Sequence, residues 1–389
     1  MLKSEVKNGT LYLIPEGKID TNNSQDFQKE AEGITEDHPG LPIIIDADDL
    51  DYISSAGLRV ILSFLKRRLE ISLINANSVV YEIFDSTGFS EMMDVKKAYK
   101  KISVEGCEII GRGSNGLVYR TDPETIVKVY FNPDSLPDIQ NERRLARYAF
   151  VHGIPTAISY DIVRVGDTYG SVFELLNATS LSKLIANNPE KLSEYIGEFV
   201  SLLKIIHEQE AGPGDVPSVK QTYLRYAQFL KDYLPEKAYL KLCDLISSVP
   251  ESNHLIHGDY YTNNVLIQDG NPILIDMDTL SCGNPIFELA STFNAYCGFS
   301  SIYGFKDNSG RIMGDIAKEM WIEILKQYYA ELSEEDRRLQ NDRAALLGYT
   351  RILRRHVKRL GMEEEKRKNQ YDQCRELLID LIEKVDSLV

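Results

Sequence analysis

The sequence predicts two folds in tandem: an α/β domain, a mixed sheet with helices, over residues 1–100, then an α+β fold of two lobes, 101–177 and 178–389. Three observations predict it. At 389 residues the chain exceeds what one hydrophobic core supports. Strand-like and helix-like segments alternate as far as residue 100, the grammar of an α/β layer. After that, short strands cluster around a glycine-rich turn, and from residue 178 helices dominate.

In the first hundred residues, 10–15 (TLYLIP) reads as a strand and 23–33 as a polar helix. The apolar run 42–46 (PIIID) suits a buried strand. Leu58, Ile61, Leu62, Leu65 and Leu69 recur at three- and four-residue steps and predict a helix. Residues 71–75 (ISLIN) give another strand and 78–88 another helix. Residues 101–130 read as antiparallel hairpins with no intervening helix. Helices are expected at 182–208, 220–249 and 317–331, with AGPGDVP (211–217) as a loop and 362–389 as a long charged amphipathic helix.

Net charge is −15, and residues 1–100 carry 11 Lys+Arg against 17 Asp+Glu, so neither part supplies the basic patch of a nucleic-acid binder. No apolar run nears the roughly 20 residues that cross a bilayer, so no membrane role is expected. The N-terminus lacks the apolar stretch of a signal peptide. Five cysteines, Cys107, Cys243, Cys282, Cys297 and Cys374, lie far apart without CxxC spacing. They read as reduced thiols, and the location expected is cytoplasmic.

Residues 110–118 (IGRGSNGLV) form a GxGxxGxV pattern with Gly111, Gly113, Ser114, Gly116 and Val118. Glycines there would let backbone N–H groups close over phosphates; a tight hairpin turn reads the same way. Lys128 stands in an apolar strand, TIVKVY, where its charge needs a partner or must snorkel to the edge. Glu142, in DIQNERRLARYAF, is the candidate partner, with a solvated helix face as the alternative. The decisive segment is 254–280, with His257, Asp259, Asn264 and Asp276. Phosphoryl transfer needs a carboxylate for the attacking hydroxyl and oxygen ligands that fix Mg²⁺ against the phosphates. Asp259 suits the first task, Asn264 and Asp276 the second. VLIQDGNPILID reads as a hairpin that sets Asn264 and Asp276 side by side at its open end.

HGDYYTNNVLI and ILIDMD resemble the HGDxxxxN and IDxD motifs of aminoglycoside and choline phosphotransferases. With the glycine-rich segment and IVKVY, the resemblance spans residues 105–300 and implies a protein-kinase-like bilobal fold. It implies Asp259 as catalytic base, Lys128 on phosphate, Glu142 pairing Lys128, and Asn264 and Asp276 as Mg²⁺ ligands, with Asn263 the next-best ligand; Asp278 reads either as a group behind those ligands or as a surface carboxylate. ATP would lie under Ile110, Val118 and Ile126 and over Leu266. Phe173 would guard the hinge, and backbone groups of Glu174 and Leu176 would read the adenine. One departure stands out: where the family has an aspartate in a DLA-like motif, this chain has FELA with Glu288.

Ser54 and Ser55 precede the predicted helix in YISSAGLRVIL, as N-caps often do; a phosphate there would sit at the positive end of the helix. This segment, with STGFSEMM (86–93), resembles the STAS domain of anti-sigma-factor antagonists. Aligned on Gly57 and Leu58, the usual phosphoacceptor falls on Ala56, which leaves Ser55 and Ser54 as candidate phosphosites. The expectation is an ATP- and Mg²⁺-dependent kinase for a small hydroxyl-bearing molecule, with a STAS domain that regulates it or docks a protein partner. The alternatives are a serine kinase for a STAS serine and a nucleotide-binding protein without turnover. An acceptor pocket around Tyr223, Tyr226, Phe229, Tyr296, Phe299 and Tyr303 is expected to suit a cation or a sugar, although aromatics at helical spacing are also core formers.

Overall fold

A computed structural model of the chain describes residues 2–67, 69–113, 115–304, 315–361 and 363–389. The chain divides into two compact units, Met1–Ser103 with Val163–Gly166, and Val104–Ile162 with Asp167–Val389.

In the first unit the elements run β1 (Leu2–Lys7), β2 (Thr10–Pro15), β3 (Gly17–Ile19), α1 (Ser24–Asp37), β4 (Ile43–Asp46), β5 (Leu50–Ile53), α2 (Ser55–Lys66), β6 (Ile71–Ala76), α3 (Ser78–Ser86), β7 (Val95–Lys97) and a short β8 (Lys100–Ile102). The sheet order is β1-β2-β4-β6-β7, with β1 antiparallel to β2 and the other neighbours parallel. The parallel pairs follow from the alternation, because a strand can rejoin its neighbour in parallel only through a crossover helix. Leu11, Leu13, Ile45 and Leu73 point inward from the sheet and meet Ile61 and Phe64 of α2 and Phe84 of α3 in one core.

The second unit opens with an antiparallel sheet: β9 (Glu108–Arg112), β10 (Gly116–Arg120), β11 (Thr125–Tyr130), β12 (Ser159–Val165) and β13 (Thr168–Glu174), in the order β9-β10-β11-β13-β12. Helix α4 (Leu136–Val151) connects β11 to β12. Then come β14 (Thr179–Ser180), α5 (Leu181–Asn187), α6 (Leu192–Glu208), α7 (Val219–Phe229), α8 (Glu236–Ser248) and β15 (Leu255–Ile256). They are followed by β16 (Val265–Gln268), β17 (Asn271–Leu274), β18 (Ser281–Cys282), α9 (Ile286–Phe293), α10 (Phe299–Tyr303), α11 (Asp315–Tyr328), α12 (Glu334–Arg359) and α13 (Glu365–Lys384).

The helix expected at 182–208 is two, α5 and α6, and that at 220–249 is likewise two, α7 and α8. Pro189 and Pro235 stand at the breaks, since proline supplies no N–H to a helix interior and excludes the helical conformation from the residue before it. Helix α12 lies where helices were expected to dominate, with no bounds assigned to it. Its apolar face, including Leu346, Leu347, Ile352 and Leu353, packs on α9, and its mean pattern is diluted by twelve charged residues in the helix.

A buried histidine makes this core pH-sensitive. His207 of α6 is 6% exposed; its Nδ1 is 2.8 Å from the Tyr328 hydroxyl and its Nε2 has no hydrogen-bond partner among the described residues. Burial, with repulsion from His254, depresses its pKa to about 3. The unfolded imidazole takes its proton near pH ~6.5, so the stability is complete above that pH and is lost as pH falls toward 3, by up to about 1.4 kcal/mol per unit. Denaturant unfolding of the wild type and of His207→Gln at stepped pH is expected to show the steeper acid loss only in the wild type.

Candidate active site

Lys128 and Tyr130 alternate with Val127 and Val129 along β11, so both point to one face of the sheet. Val118 stands directly opposite Lys128, and Phe173 of β13 directly opposite Ile126, so all of these side chains share that face. The Lys128 ammonium lies 3.0 Å from Glu142 Oε1 and 3.0 Å from Asp276 Oδ1. Burial alone would lower its pKa, but the carboxylates of Asp276 and Glu142 outweigh it and hold the lysine charged, far above its ordinary range. The Tyr130 hydroxyl donates to Glu142, and Lys128 lies 5.3 Å from the Tyr130 ring centroid. Glu142, only 4% exposed on α4, is therefore a buried carboxylate with two donors rather than part of a solvated helix face.

The glycine-rich turn is a hairpin in which the Gly113 N–H donates to the Gly116 carbonyl at 2.9 Å. Gly116 is required by packing, because a Cβ there would run into the Val129 carbonyl of β11. A Cβ at Gly113 would meet only the Gly116 carbonyl, at 3.8 Å, and one at Gly111 would press on the Val118 side chain at 3.3 Å. Ser114 lies outside the described residues.

The His257–Tyr260 loop is held from every side. The His257 and Gly258 N–H groups both donate to the carboxylate of Glu288, which is 0% exposed on α9. The extra methylene of glutamate therefore does not prevent it from bracing this loop. Thr279 donates to the His257 carbonyl at 2.6 Å, and Ser291 and Arg351 both donate to the Gly258 carbonyl at 2.8 Å. The Asp259 N–H donates to His257 Nδ1, which leaves Nε2–H to donate to the Ile275 carbonyl at 3.1 Å and tie the loop to the segment after β17 that carries Asp276. Gly258 has φ +83, and a Cβ on it would approach the Thr279 carbonyl to 2.8 Å, so glycine is demanded twice over.

The hairpin of β16 and β17 turns at Asp269 and Gly270, with φ 51 and 79, the conformation that Asp-Gly favours. At its open end the Ile275 N–H donates to the Asn264 carbonyl at 3.0 Å. The Asn264 amide nitrogen donates to the Asp259 carbonyl at 3.0 Å, so its side-chain oxygen is the atom left for a cation. Asp276 is a non-glycine residue with φ 66, a conformation costing about 1 kcal/mol that is common where function fixes the backbone. Partial desolvation and repulsion from Asp276, Glu142 and Asp259 push the exposed Asp278 carboxyl up to about 7, against the pull of Lys128. Hard oxygen donors in excess of positive charge fit a Mg²⁺ ion. Among the described residues no cluster of three His, Cys, Asp or Glu forms a closed cage.

At the hinge, the Glu174 N–H donates to the Ile158 carbonyl at 3.2 Å, and its side chain accepts from the Ile158 N–H. Val118, Ile126 and Leu266 are half-buried, and Ile110 is 43% exposed. Sequence reasoning missed Tyr130 and Arg351. Tyr130 was legible as the next residue on the Lys128 face; Arg351 lies on α12, far along the chain from the loop it holds, and no local signal marked it.

A small antiparallel sheet carrying a Lys–Glu pair, a helical lobe, and a braced loop beside an Asn/Asp hairpin end define a phosphotransferase of kinase-like, two-lobed fold that acts on hydroxyl groups. The chain belongs to the phosphotransferase enzyme family APH, which matches residues 106–367, and a STAS domain matches residues 1–102. Among solved structures the chain is similar to ADP-bound aminoglycoside phosphotransferase APH(2'')-Ib, with 12% identity, 77% of this chain and 98% of that chain covered, and a TM-score of 0.49. It is similar to a thermostable mutant of aminoglycoside phosphotransferase APH(4)-Ia, with 14% identity, 72% and 94% covered, and a TM-score of 0.49. No curated protein matches the chain by sequence. Among the described residues no helix is long and apolar enough to cross a membrane.

Proposed function

We propose that the second unit transfers the γ-phosphate of ATP, with Mg²⁺, to a hydroxyl of a small molecule. The observation that carries this reading is the convergence of Lys128, Glu142 and Asp276 in one ion-paired group, tied through Ile275 and Asn264 to the Asp259 loop. Asp259 orients the acceptor hydroxyl and takes its proton as the new O–P bond forms and the bond from the γ-phosphorus to the ADP oxygen breaks. Lys128, positioned by Glu142 and Tyr130, binds the α/β-phosphates. Asn264 and Asp276 would hold Mg²⁺, which supplies charge neutralisation at the phosphates. Val118, Ile126 and Leu266 line the slot for the base, where the Glu174 carbonyl and the Leu176 N–H read its edge. The STAS unit acts as regulator or docking module, and the protein works in the cytoplasm.

A second reading has its own observation. Ser54 caps α2, its Oγ accepting from the Gly57 N–H at 3.4 Å, whereas Ser55 is exposed on the first turn. Ser55 is thus the accessible phosphoacceptor if the kinase acts on a STAS serine.

One experiment separates them. The full chain with Mg-ATP is expected to consume ATP only when a hydroxyl compound from a screened library is present, with the protein's intact mass unchanged. A mass gain of about 80 Da that is lost in Ser55→Ala would instead establish the serine-kinase reading.

A further inference from the structure

On the α7 and α12 side of the Asp259 loop the structure places guanidinium groups against the aromatics that suggested a cation site. Helix α7 presents Tyr223, Tyr226 and Phe229 toward α12, which packs against it and presents Arg351 and Arg354. The Arg354 guanidinium carbon lies 4.7 Å from the Tyr226 ring centroid and 5.9 Å from that of Phe229, so these aromatic faces are already covered by a cation of the chain itself. Arg355, one residue on, covers Phe299 at 5.2 Å. A cationic acceptor would meet repulsion here.

Two groups are left wanting an acceptor. Tyr223 is 3% exposed, and its hydroxyl has no hydrogen-bond partner among the described residues. A buried donor left unpaired is destabilising, because it has given up its hydrogen bond to water. Arg354 is half-buried and has no carboxylate within ion-pair distance among the described residues, while the aromatic faces of Tyr226 and Phe229 hold its planar fork in place. Arg351 links both to the reaction centre. It donates to the Gly258 carbonyl at 2.8 Å, adjoining Asp259, and its charge interacts with Tyr223, Asp259 and Tyr226.

We propose that Arg354, the Tyr223 hydroxyl and the unused donors of Arg351 form an oxyanion subsite for the acceptor. The molecule phosphorylated at Asp259 then carries a carboxylate or phosphate group besides its reacting hydroxyl. This rests on the phosphotransferase reading and names its substrate class. Arginine suits the task because its fork matches both oxyanions bidentately.

The test uses the full chain saturated with Mg-ADP and binding calorimetry. Acceptors are offered in sets that share a skeleton and differ in charge: glycerophosphate, glycerate and glycerol; glucose phosphate, gluconate, glucose and glucosamine. Anionic members are expected to bind at least about tenfold tighter than their neutral and cationic counterparts, and whether phosphates or carboxylates lead identifies the oxyanion. Arg354→Gln should erase the preference and Arg354→Lys should keep most of it. Absence of a preference for anionic members, or a preference that survives in Arg354→Gln, overturns the subsite. Mg-ADP titrated into nucleotide-free samples of the same proteins reads the nucleotide site separately, so normal ADP affinity with no charge preference would sink the subsite and leave the phosphotransferase reading standing.

Discussion

Asp259→Asn is expected to lower the phosphoryl-transfer rate by about 10²–10⁴ while ADP affinity stays within about twofold. The substitution is close to isosteric, and the loop does not depend on the carboxylate for its shape. Glu288, Thr279, Ser291 and Arg351 hold its backbone, and Asn264 bonds the Asp259 carbonyl rather than its side chain. What asparagine lacks is the capacity to take a proton from the acceptor hydroxyl. The measurement is single-turnover transfer to the acceptor found in the screen, beside ADP calorimetry. A rate within about threefold of wild type would remove Asp259 from the role of base, because general-base contributions rarely fall so low.

Glu288→Ala should cost both stability and activity. The buried carboxylate accepts from the His257 and Gly258 N–H groups, and alanine leaves both donors unpaired in a dry site. At about 1–3 kcal/mol for each of the two orphaned donors, the loss is about 2–6 kcal/mol. For a unit of this size that lowers the melting temperature by about 5–15 °C. Transfer should fall as well, since the Asp259 loop loses its floor. Burial also raises the Glu288 carboxyl, so the uncharged Glu288→Gln, whose amide oxygen can still accept, should retain most of the stability. Calorimetric melting of the three proteins decides it. A melting temperature unchanged within about 2 °C in the alanine variant would show that the loop stands without this brace.

The local grammar of the site was readable in sequence because it is built from short-range devices. A glycine-rich hairpin, a lysine in an apolar strand, and an Asp-Gly turn between two apolar runs each declare themselves within about ten residues of chain. The glycines were legible as a pattern but not in their reasons: Gly116 answers to the Val129 carbonyl two strands' width of chain away, and Gly258 to the Thr279 carbonyl. The helix breaks at Pro189 and Pro235 were visible residues overridden by a continuous hydrophobic pattern. Helix α12 was expected only as part of a helix-rich stretch, without bounds, because its charged faces dilute its apolar stripe.

The same division explains the acceptor side. Tyr223, Tyr226, Phe229 and Phe299 were recognisable as aromatics, and their chemistry suggested a cation site. The arginines that cover Tyr226, Phe229 and Phe299 come from α12, more than a hundred residues after α7. Sequence by itself determined the alternation of strands and helices in the first hundred residues and the order of the short motifs after them, since these follow from periodicity and spacing along the chain. Only the tertiary structure decided which charges meet: that Lys128 joins Glu142 to Asp276, that Glu288 lies under the Asp259 loop, and that guanidinium groups lie over the aromatics. The reason is that an electrostatic contact depends on distance through space, and the packing of helices remote in sequence sets that distance.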